Sequence, residues 1–328
     1  MDPNTRALLM GAAGGATENI YAEDVFSTWL YTGNGSTQTI TNGIDLSGKG
    51  GLVWIKGRSG ATGHRLVDTA RGATKSLESS TTAVEATEST GVTSFNSTGF
   101  ALGADDDYST NAATYASWTF RRAPGFFDVV CYTGTGSNLA VTHDLAVAPE
   151  LIIWKARNAG TNWIVGFDFT STTSKVINLD TTGSSTTRTY PTGEVSTQPT
   201  ATTVTMGNAN TRQSGDNYVM YLFATLTGIS KVGTYTGTGT TLSVDCGFTN
   251  GARFVLIKRT DSTGDWYVWD TARGIVSGDD PYLLLNSTTA EVTNTDYIDP
   301  LNSGFQISST APAAINANGG SYIYLAIA

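Results

Sequence analysis

Two aspartates in an identical pentapeptide are the residues whose type and repetition most suggest chemistry. Asp68 and Asp270 each begin the sequence Asp-Thr-Ala-Arg-Gly. A pair of carboxylates can cleave a glycosidic bond, so one interpretation is a glycan-degrading enzyme. A single active site has no need of the same motif in distant parts of the chain, and an Arg follows each Asp after three residues. We therefore expect a local ion pair or turn brace at both positions.

The remaining candidates for catalysis or metal binding have weaker patterns. His64 is expected in a Gly- and Ser-rich loop and His143 in a separate segment, and no G-x-S-x-G nucleophile motif accompanies them. Consecutive acids at Asp105–Asp107 and Asp279–Asp280 could supply oxygen ligands for calcium, but they do not alternate as EF-hand ligands do. We expect solvated loops at both places. The sequence predicts no catalytic residue, no cofactor and no metal site.

Tryptophans could serve a different function if they are exposed, because their rings can pack against sugars. The candidates are Trp29, Trp118, Trp163, Trp266 and Trp269. Trp266 and Tyr267 are neighbours in a strand and face opposite sides of it, so one of the two is expected at a surface or an interface. A host-surface glycan therefore remains one option for a partner, although such aromatic residues more often belong to a core.

Composition and charge restrict the partners of the chain. It has 328 residues, of which only 14% are charged, and a formal net charge of −9. Nucleic-acid affinity depends on Lys and Arg that neutralise phosphates, so no nucleic-acid partner is expected. The N-terminal stretch resembles neither a signal peptide nor a membrane span, which predicts no membrane insertion. Cys131 and Cys246 are expected to be buried free thiols.

A short phrase that occurs three times sets the organisation of the chain. Tyr31, Tyr132 and Tyr235 each begin Tyr-Thr-Gly-x-Gly, and they are 101 and 103 residues apart. Such a spacing is the size of a small domain. It is much longer than one rung of a parallel β-helix, which is the alternative fold. The chain therefore consists of three copies of one domain-sized unit.

Further motifs recur in register within each copy. A strand ends in Lys56, Lys155 and Lys258, and an aspartate follows each Lys after 12 or 13 residues at Asp68, Asp168 and Asp270. In the middle copy Ser171 replaces the Arg of the pentapeptide. Aligned on the Lys, Trp54 corresponds to Ile153 whereas Trp154 corresponds to Ile55. Because both faces of this strand accept a bulky apolar group, we expect a central strand covered on both sides by a neighbouring domain or chain.

These patterns predict an all-β protein of three tandem antiparallel β-sandwich domains of a jelly-roll-like kind. Short strands rich in Thr, Val and aromatic residues alternate with Gly-containing turns, and no amphipathic helix is evident. The predicted boundaries are 22–124, 125–227 and 228–328. Residues 1–21 precede them as an anchor or linker, in which Leu8, Leu9 and Met10 are the residues expected to dock into a partner subunit.

Several segments together resemble one family of structural proteins from tailed bacteriophages of marine and freshwater bacteria. They are "DVFSTWLYTGNGSTQTITNGIDLSGKGGLVWIKGR", "VDTARG", "FNSTGFALG", "SWTFRRAPGFFDVVCYTGTG" and the terminal "GGSYIYLAIA". The opening "MDPNTRALLMGAAGG" is similar to the start of the same family. The resemblance covers essentially the whole chain. Its motifs are signatures of strands and turns and carry no chemistry.

The resemblance implies a virion component that is assembled in the host cytoplasm, with other tail or capsid proteins as partners and a homotrimer as the expected oligomer. The expected function is a tail fibre or tail-associated appendage, docked by its N-terminus and involved in attachment to the host surface. A capsid decoration protein is the first alternative, and a tail enzyme that degrades host glycans is the second. The residues themselves do not separate the first two.

Overall fold

The structure, a computed structural model, describes residues 20–328. Every strand pairing in this range is antiparallel, which confirms the all-β prediction and disagrees with a parallel β-helix. The helices are single turns of four residues each. The proposed anchor residues Leu8, Leu9 and Met10 lie outside the described residues. We call the three copies repeats 1, 2 and 3, with the boundaries given above.

Repeat 1 contains two sheets that face each other and a small third sheet. Its elements are α1 (Ala22–Val25), β1 (Phe26–Thr32), β2 (Gln38–Thr41), α2 (Leu46–Lys49), β3 (Gly51–Gly57), β4 (His64–Asp68), β5 (Lys75–Ser76), β6 (Ala86–Thr87), β7 (Val92–Asn96), β8 (Gly99–Leu102), α3 (Asp106–Ser109) and β9 (Thr114–Arg121). The inner sheet has the order β1-β9-β3-β4 and the outer sheet the order β2-β8-β7, while β5 pairs with β6.

Repeat 2 follows the same plan with a wider inner sheet. Its elements are β10 (Phe127–Thr133), β11 (Leu139–Thr142), β12 (Leu151–Ala156), β13 (Ile164–Phe167), β14 (Thr173–Asn178), β15 (Thr186–Thr189), β16 (Thr203–Met206), α4 (Ala209–Arg212) and β17 (Asn217–Phe223). The inner sheet has the order β10-β17-β12-β13-β14-β15, and the outer sheet is the pair β11-β16.

Repeat 3 completes the described chain. Its elements are β18 (Ser230–Thr236), β19 (Leu242–Asp245), β20 (Phe254–Arg259), β21 (Trp266–Asp270), β22 (Leu283–Leu284), β23 (Ile298–Leu301), β24 (Gly304–Ile307), α5 (Ala313–Asn316) and β25 (Ser321–Ile327). The inner sheet has the order β18-β25-β20-β21-β22 and the outer sheet the order β19-β24-β23. Across residues 20–328, all strands of any one sheet come from the same repeat.

The central strands of every inner sheet are buried on both faces, namely β3 and β9, β12 and β17, and β20 and β25. One face packs on the outer sheet of the same repeat, and the other packs into a central core that all three repeats share. Neighbouring residues of one strand therefore lie in different cores: Trp54 and Ile153 in the central core, Ile55 in the core of repeat 1 and Trp154 in that of repeat 2. This confirms the prediction of a central strand covered on both sides, and the cover is the neighbouring repeats of the same chain.

Phenylalanines from all three repeats meet at one end of the central core. The ring of Phe120 lies 5.6 Å from that of Phe127, 5.5 Å from that of Phe223 and 5.9 Å from that of Phe254, between ring centres. The ring of Phe26 lies 5.2 Å from that of Phe254. Repeat 1 thus contacts both repeat 2 and repeat 3 here. These rings remove apolar area from water, which stabilises the contacts between the repeats.

The recurring tyrosine is explained by a pair of stacked rings in each repeat. Tyr31, Tyr132 and Tyr235 stack on Tyr115, Tyr218 and Tyr322 of the neighbouring strand, with ring centres 5.0, 5.1 and 4.7 Å apart. Their hydroxyls donate to the carbonyls of Tyr108, Thr211 and Ile315, at 2.9, 2.7 and 2.7 Å. Each acceptor lies in or next to α3, α4 or α5. The motif therefore fixes a one-turn helix against the end of the inner sheet.

The glycine after Tyr-Thr is required by a close approach of two backbones. A Cβ atom at Gly33, Gly134 or Gly237 would lie 2.2–2.3 Å from a backbone carbonyl oxygen after the one-turn helix. The next glycine of the motif has a positive φ, for example +76° at Gly136, which side chains rarely adopt. The phrase Tyr-Thr-Gly-x-Gly therefore recurs because each repeat packs the same turn against the same helix.

We expect Gly134→Ala to lower the free energy of unfolding by about 1–3 kcal/mol, because the new methyl group overlaps the carbonyl of Gln213. Gly60→Ala is the matched control, since no atom lies within 4 Å of its added Cβ and its φ lies outside the left-handed region. The control should change stability by less than about 0.5 kcal/mol. Urea unfolding measures both, and equal effects of the two substitutions would contradict the backbone-contact explanation.

Candidate functional site

Buried polar side chains form hydrogen bonds across the boundaries between the repeats. The ammonium group of Lys155 in repeat 2 donates to the carbonyl of Thr82 in repeat 1 at 3.0 Å, and Lys258 in repeat 3 donates to Thr182 in repeat 2 at 3.1 Å. Lys56 in repeat 1 donates to Thr288 in repeat 3 at 3.2 Å. Equivalent contacts therefore run from 2 to 1, from 3 to 2 and from 1 to 3, and the three repeats close into a ring.

These three lysines are almost completely removed from solvent, with exposures of 0–1%. Burial lowers the pKa of each to about 8. Each also donates to a carbonyl of its own repeat, at 2.6 Å from Lys155 to Thr161 and from Lys258 to Gly264. The lysines satisfy buried carbonyls on both sides of each boundary, which is a structural function that needs no ligand.

A second set of equivalent hydrogen bonds crosses the same boundaries. The indole nitrogen of Trp163 donates to the carbonyl of Glu78 at 2.8 Å, and that of Trp266 donates to the carbonyl of Asn178 at 2.9 Å. In repeat 1 the corresponding residue is His64, whose Nε2 lies 2.8 Å from the carbonyl oxygen of Leu284. Trp266 is thus the member of the Trp266–Tyr267 pair that lies at an interface, as the alternation in the strand predicted.

His64 is a fully buried residue of strand β4, and the expectation of a loop was wrong. Its Nδ1 accepts a hydrogen bond from the indole N–H of Trp54 at 2.9 Å, so Nδ1 is unprotonated and Nε2 carries the proton that is donated to Leu284. Burial is the main cause that lowers the pKa of His64 to about 3, and the charge of Lys56 adds to it. The imidazole is therefore a neutral structural bridge between Trp54 and Leu284.

The aspartate of the first pentapeptide forms a buried ion pair, as predicted. The carboxylate of Asp68 lies 2.5 Å from Nε of Arg71, and neither side chain is exposed. The hydroxyl of Tyr221, in repeat 2, donates to the same carboxylate at 2.9 Å. Glu85 then joins Arg71, at 3.3 Å, to Arg157 of repeat 2, at 2.8 Å. We call this network the 1–2 brace.

The same network recurs between repeats 3 and 1. Asp270 pairs with Arg273 at 2.7 Å, again with both side chains fully buried. The indole N–H of Trp118, in repeat 1, donates to Asp270 at 3.0 Å. Glu291 pairs with Arg58 of repeat 1 at 2.6 Å. Asp68 and Asp270 thus lie in two separate boundaries and are each neutralised by an arginine, so they do not form an acid–base pair for glycoside hydrolysis.

The boundary between repeats 2 and 3 has no such brace. In strand register, Phe167 occupies the place of Asp68 and Asp270, since each is paired with the residue four positions before the Lys. Asp168, predicted as the counterpart, is one residue further on; it is 46% exposed and pairs with Lys175 at 3.0 Å. A shift of one residue turns a side chain to the other face of a strand. The prediction for Asp168 was wrong for that reason.

At the boundary between repeats 2 and 3, the residues that correspond to the other members of the brace are also uncharged. Ser185 stands in the place of Glu85 and donates its backbone N–H to the carbonyl of Thr260 at 2.8 Å, just as Glu85 donates to Arg157 at 2.7 Å. Leu325 replaces the hydrogen-bond donors Tyr221 and Trp118 in strand register. A cavity of about 420 Å³ lies at this boundary, between Phe167–Phe169 and Val232–Thr234.

Sequence reasoning found the aspartates of the braces and missed the glutamates. Glu85 follows Arg71 after 14 residues and Glu291 follows Arg273 after 18, so no fixed spacing points to them. One pattern in the sequence could have indicated the two glutamate contacts. An Arg stands two residues after Lys56 and after Lys155, whereas Thr260 stands two residues after Lys258. The three lysines mark equivalent positions in the sequence, and their contacts across the boundaries became evident only in the structure.

The other candidate residues for catalysis or metal binding contact the backbone of the protein itself. Asp105 caps α3 by accepting the backbone N–H of Asp107. Asp280 is fully buried and accepts the backbone N–H groups of Tyr297 and Ile298, so the expectation of a solvated loop was wrong for this residue. Burial, the largest cause, raises the pKa of Asp280 to about 7. His143 contacts the carbonyl of Thr200. Within residues 20–328, no group of three or more His, Cys, Asp or Glu side chains is arranged to hold a metal ion.

The tryptophans and cysteines are divided between core and surface. Trp118, Trp163, Trp266 and Trp269 are buried, whereas Trp29 is 40% exposed on strand β1. Cys246 is a buried free thiol, and Cys131 is free but only partly buried. Among the helices of residues 20–328, none is long and apolar enough to cross a lipid bilayer.

We expect Arg71→Met to lower the free energy of unfolding by about 3–5 kcal/mol, because it leaves Asp68 and part of Glu85 buried without their cation. Lys175→Met is the matched control, since it removes a cation from an exposed pair and should cost less than about 1 kcal/mol. Thermal and urea unfolding measure both. A cost below about 1 kcal/mol for Arg71→Met would show that the 1–2 brace does not hold the boundary.

The buried histidine predicts a pH dependence. Because the pKa of about 3 in the fold is below the ordinary value of 6.5, the unfolded chain binds a proton between these values that the fold excludes. Stability from this group is thus complete above pH 6.5 and is lost as the pH falls, by about 3 kcal/mol at pH 4.5.

The double variant Trp54→Ile/His64→Trp reproduces the pair Ile153 and Trp163 of repeat 2 and tests this. We expect it to fold with the Leu284 hydrogen bond kept and to gain about 3 kcal/mol relative to the wild type between pH 7 and 4.5. Unfolding curves at a series of pH values measure this difference. Parallel pH profiles of the two proteins would contradict the assignment of the acid sensitivity to His64.

The comparisons with known proteins add a family and no activity. A comparison with curated proteins found no match. Residues 22–328 match a sequence family described as a domain of unknown function, DUF7483. The matched range includes all three repeats, both braces and the ring of lysines. The chain therefore belongs to the DUF7483 family.

Proposed function

We propose that this protein is a structural component of a bacteriophage virion: a tail fibre or tail-associated appendage that is docked by its N-terminus and takes part in attachment to the host surface. The resemblance of its sequence to tailed-phage structural proteins is the first support. The structural observation that supports the proposal is the closed ring of three repeats, which has α1 at one end and the Tyr-Thr-Gly turn after β1 at the other.

One end of the ring is suited to docking on the virion, and the other end is suited to contact with the host surface. Ile20 and α1 pack against the central core where strand β1 begins, next to the phenylalanine cluster. Strand β1 has seven residues, which span about 23 Å, and it leads to the Tyr-Thr-Gly turn at the opposite end. A partner that holds the N-terminal segment would thus leave the three turns facing away from it.

The internal contacts support a load-bearing function. The buried braces, the lysine contacts and the central core all join one repeat to the next, so the ring should move as one rigid body. A rigid body of this kind transmits force between a docking site and a surface. The expected homotrimer remains part of this proposal, and its contacts would have to use the outer faces of the ring because the inner faces are already buried.

Capsid decoration is the second candidate, and ring closure is the observation that favours it. A chain that completes its own ring needs no further copies to bury its inner sheets. It could therefore bind singly at many equivalent places on a capsid lattice. The same structure thus suits an appendage present in few copies and a decoration protein present in many.

The first experiment is the copy number of this chain per purified virion of the phage that encodes it, by quantitative mass spectrometry against the major capsid protein. We expect a low multiple of three or six, as for a tail-associated fibre. A count close to that of the capsid protein would establish decoration instead. Absence of the chain from purified virions would contradict both candidates.

A matched virus in which residues 2–16 are deleted from the chain tests the docking end. We expect the truncated chain to be lost from the virion, and a melting temperature like that of the full chain is the control for correct folding. Truncated chain at the normal copy number would show that Leu8, Leu9 and Met10 do not anchor the protein.

A further inference from the structure

A polar cleft opens on repeat 2, on the face of its inner sheet that points away from the central core. One of its lining residues, Asn178, also accepts the hydrogen bond of Trp266 from repeat 3. Its volume is about 430 Å³, within the range of small-ligand sites in proteins. Strands β13 and β14 form its floor through Ile164 and Val176. Its walls come from the loop before β13, the segment between β14 and β15, strand β15 and helix α4.

Repeat 1 fills the corresponding space with charged side chains. Arg65 takes the place of Ile164, because Arg65 pairs in register with Ile55 as Ile164 does with Trp154. The guanidinium of Arg65 contacts Glu78 at 3.0 Å and Glu88 at 3.4 Å, and it also pairs with Asp107. The space is therefore occupied by an ion-pair network that needs no ligand.

Repeat 3 fills the same space with aromatic rings. Tyr267 takes the place of Ile164, and Tyr282 takes the place of Val176. The ring of Tyr267 lies 5.6 Å from that of Trp269 and 5.1 Å from that of Tyr282, and Tyr297 lies 5.8 Å beyond Tyr282. Only aliphatic residues stand at the two positions in repeat 2, and the cleft is the space that their smaller size leaves.

The walls of the cleft carry polar groups held in place from behind. Glu194, with only 2% of its side chain exposed, accepts a hydrogen bond from the amide of Asn210 at 3.2 Å and lies 3.3 Å from Nε of Arg188. Within residues 20–328, no group donates a hydrogen bond to Oε2 of Glu194, the buried oxygen that faces Arg188. This buried carboxylate fixes Asn210 and Arg188 at the cleft, and it balances the charge of Arg188.

Other polar side chains face the cleft without partners in the described chain. They are those of Asn162, Thr181, Ser184 and Thr186, which line the cleft and make no side-chain hydrogen bond within residues 20–328. Amide and hydroxyl groups both donate and accept hydrogen bonds. The cleft thus combines an aliphatic floor, a ring of hydroxyls and amides, and no net charge.

We propose that this cleft binds a neutral saccharide unit. A sugar ring presents C–H groups on its face, which suit Ile164 and Val176, and hydroxyls on its edge, which suit the amides and hydroxyls of the walls. A charged ligand is not expected, because the two charged residues of the cleft, Arg188 and Glu194, already pair with each other. Among the described residues no aromatic ring lines the cleft, so we expect a weak site with a Kd of about 1 mM. The several copies of a tail-associated fibre on one particle would raise the overall affinity.

This inference deepens the proposed attachment function, and it rests on that function for its biological use. It names the repeat and the cleft that would contact a host glycan. The binding itself is tested on the purified full chain, without virions. A negative result would therefore remove the saccharide site and leave the copy-number test of the virion location unaffected.

The test is a methyl NMR titration of the full chain, labelled at Ile and Val methyl groups. The probes are the methyl glycosides of glucose, galactose, mannose and N-acetylglucosamine, each to about 50 mM, well above the expected Kd. We expect at least one glycoside to shift the signals of Ile164 and Val176 in a saturable manner. No shift with any of the four, or shifts with sodium glucuronate alone, would overturn the assignment.

The double variant Ile164→Tyr/Val176→Tyr introduces the tyrosines of repeat 3 and should fill the cleft. We expect the binding seen with the wild type to weaken at least about tenfold, because the two rings would occupy the space that the sugar needs. The methyl signal of Ile177, which also lines the cleft and is kept in the variant, measures this. Val84→Tyr, at an exposed position of repeat 1, is the matched control and should bind normally.

Ser184→Trp at the rim of the cleft is a second blocking variant, which leaves the core unchanged if the double variant fails to fold. Because Ser184 is exposed, its substitution should not alter the melting temperature. Normal glycoside binding by this variant and by a folded double variant would place the sugar elsewhere and contradict the proposal.

Discussion

Burial of both faces of each inner sheet is the constraint on which the rest of the structure depends. A sheet covered on one face by its own outer sheet would leave its second face in water, and that face carries Trp54, Ile153 and Leu256 in the three repeats. Each repeat can remove this face from water only by packing on the other two. The strands therefore read as continuous apolar runs, although they are antiparallel, and the loops that follow them must meet across the boundaries.

The same constraint decides how polar groups cross the boundaries. A buried charge is tolerated when it is paired and hydrogen-bonded, and it is costly when it is alone. Two boundaries place Asp, Arg and Glu side chains together, and the third replaces the aspartate by Phe167 and the aromatic donor by Leu325. The chain thus contains both solutions to one problem, and the members of each solution change together. This agrees with measurements on other proteins in which an apolar set can replace a buried ion network as a whole but not in part.

The sequence predicted the elements whose cause is local. The strands, the Tyr-Thr-Gly turns and the Asp–Arg pairs three residues apart all depend on neighbours in the chain. The two-sided burial of the central strand was also predictable, because Trp54 and Trp154 sit on opposite faces. His64 was placed in a loop because the glycines beside it suggested one, whereas its register against Lys56 puts it in a strand. Asp168 was misplaced because one residue of offset is invisible in composition and decisive in a sheet.

The parts that sequence reasoning did not predict depend on distant contacts. The approach of Glu85 to Arg157 and of Glu291 to Arg58 requires the ring to close, and no spacing in the chain encodes that closure. The cleft of repeat 2 is an absence of bulk at Ile164 and Val176. Such an absence becomes visible only when the three repeats are aligned by strand register and the filled versions in repeats 1 and 3 are known.

Ring closure also fixes how this chain can change during evolution. In an open array of repeats, the loss or gain of one unit alters a single junction, and the end units are specialised to face water. Here repeat 3 contacts repeat 1, so no unit is terminal. Duplication or deletion of a whole repeat would break the circle and expose two apolar faces at once. Geometry therefore constrains the number of repeats in the ring, while the three copies differ in side chains, in loops and in the number of strands at the edges of their sheets.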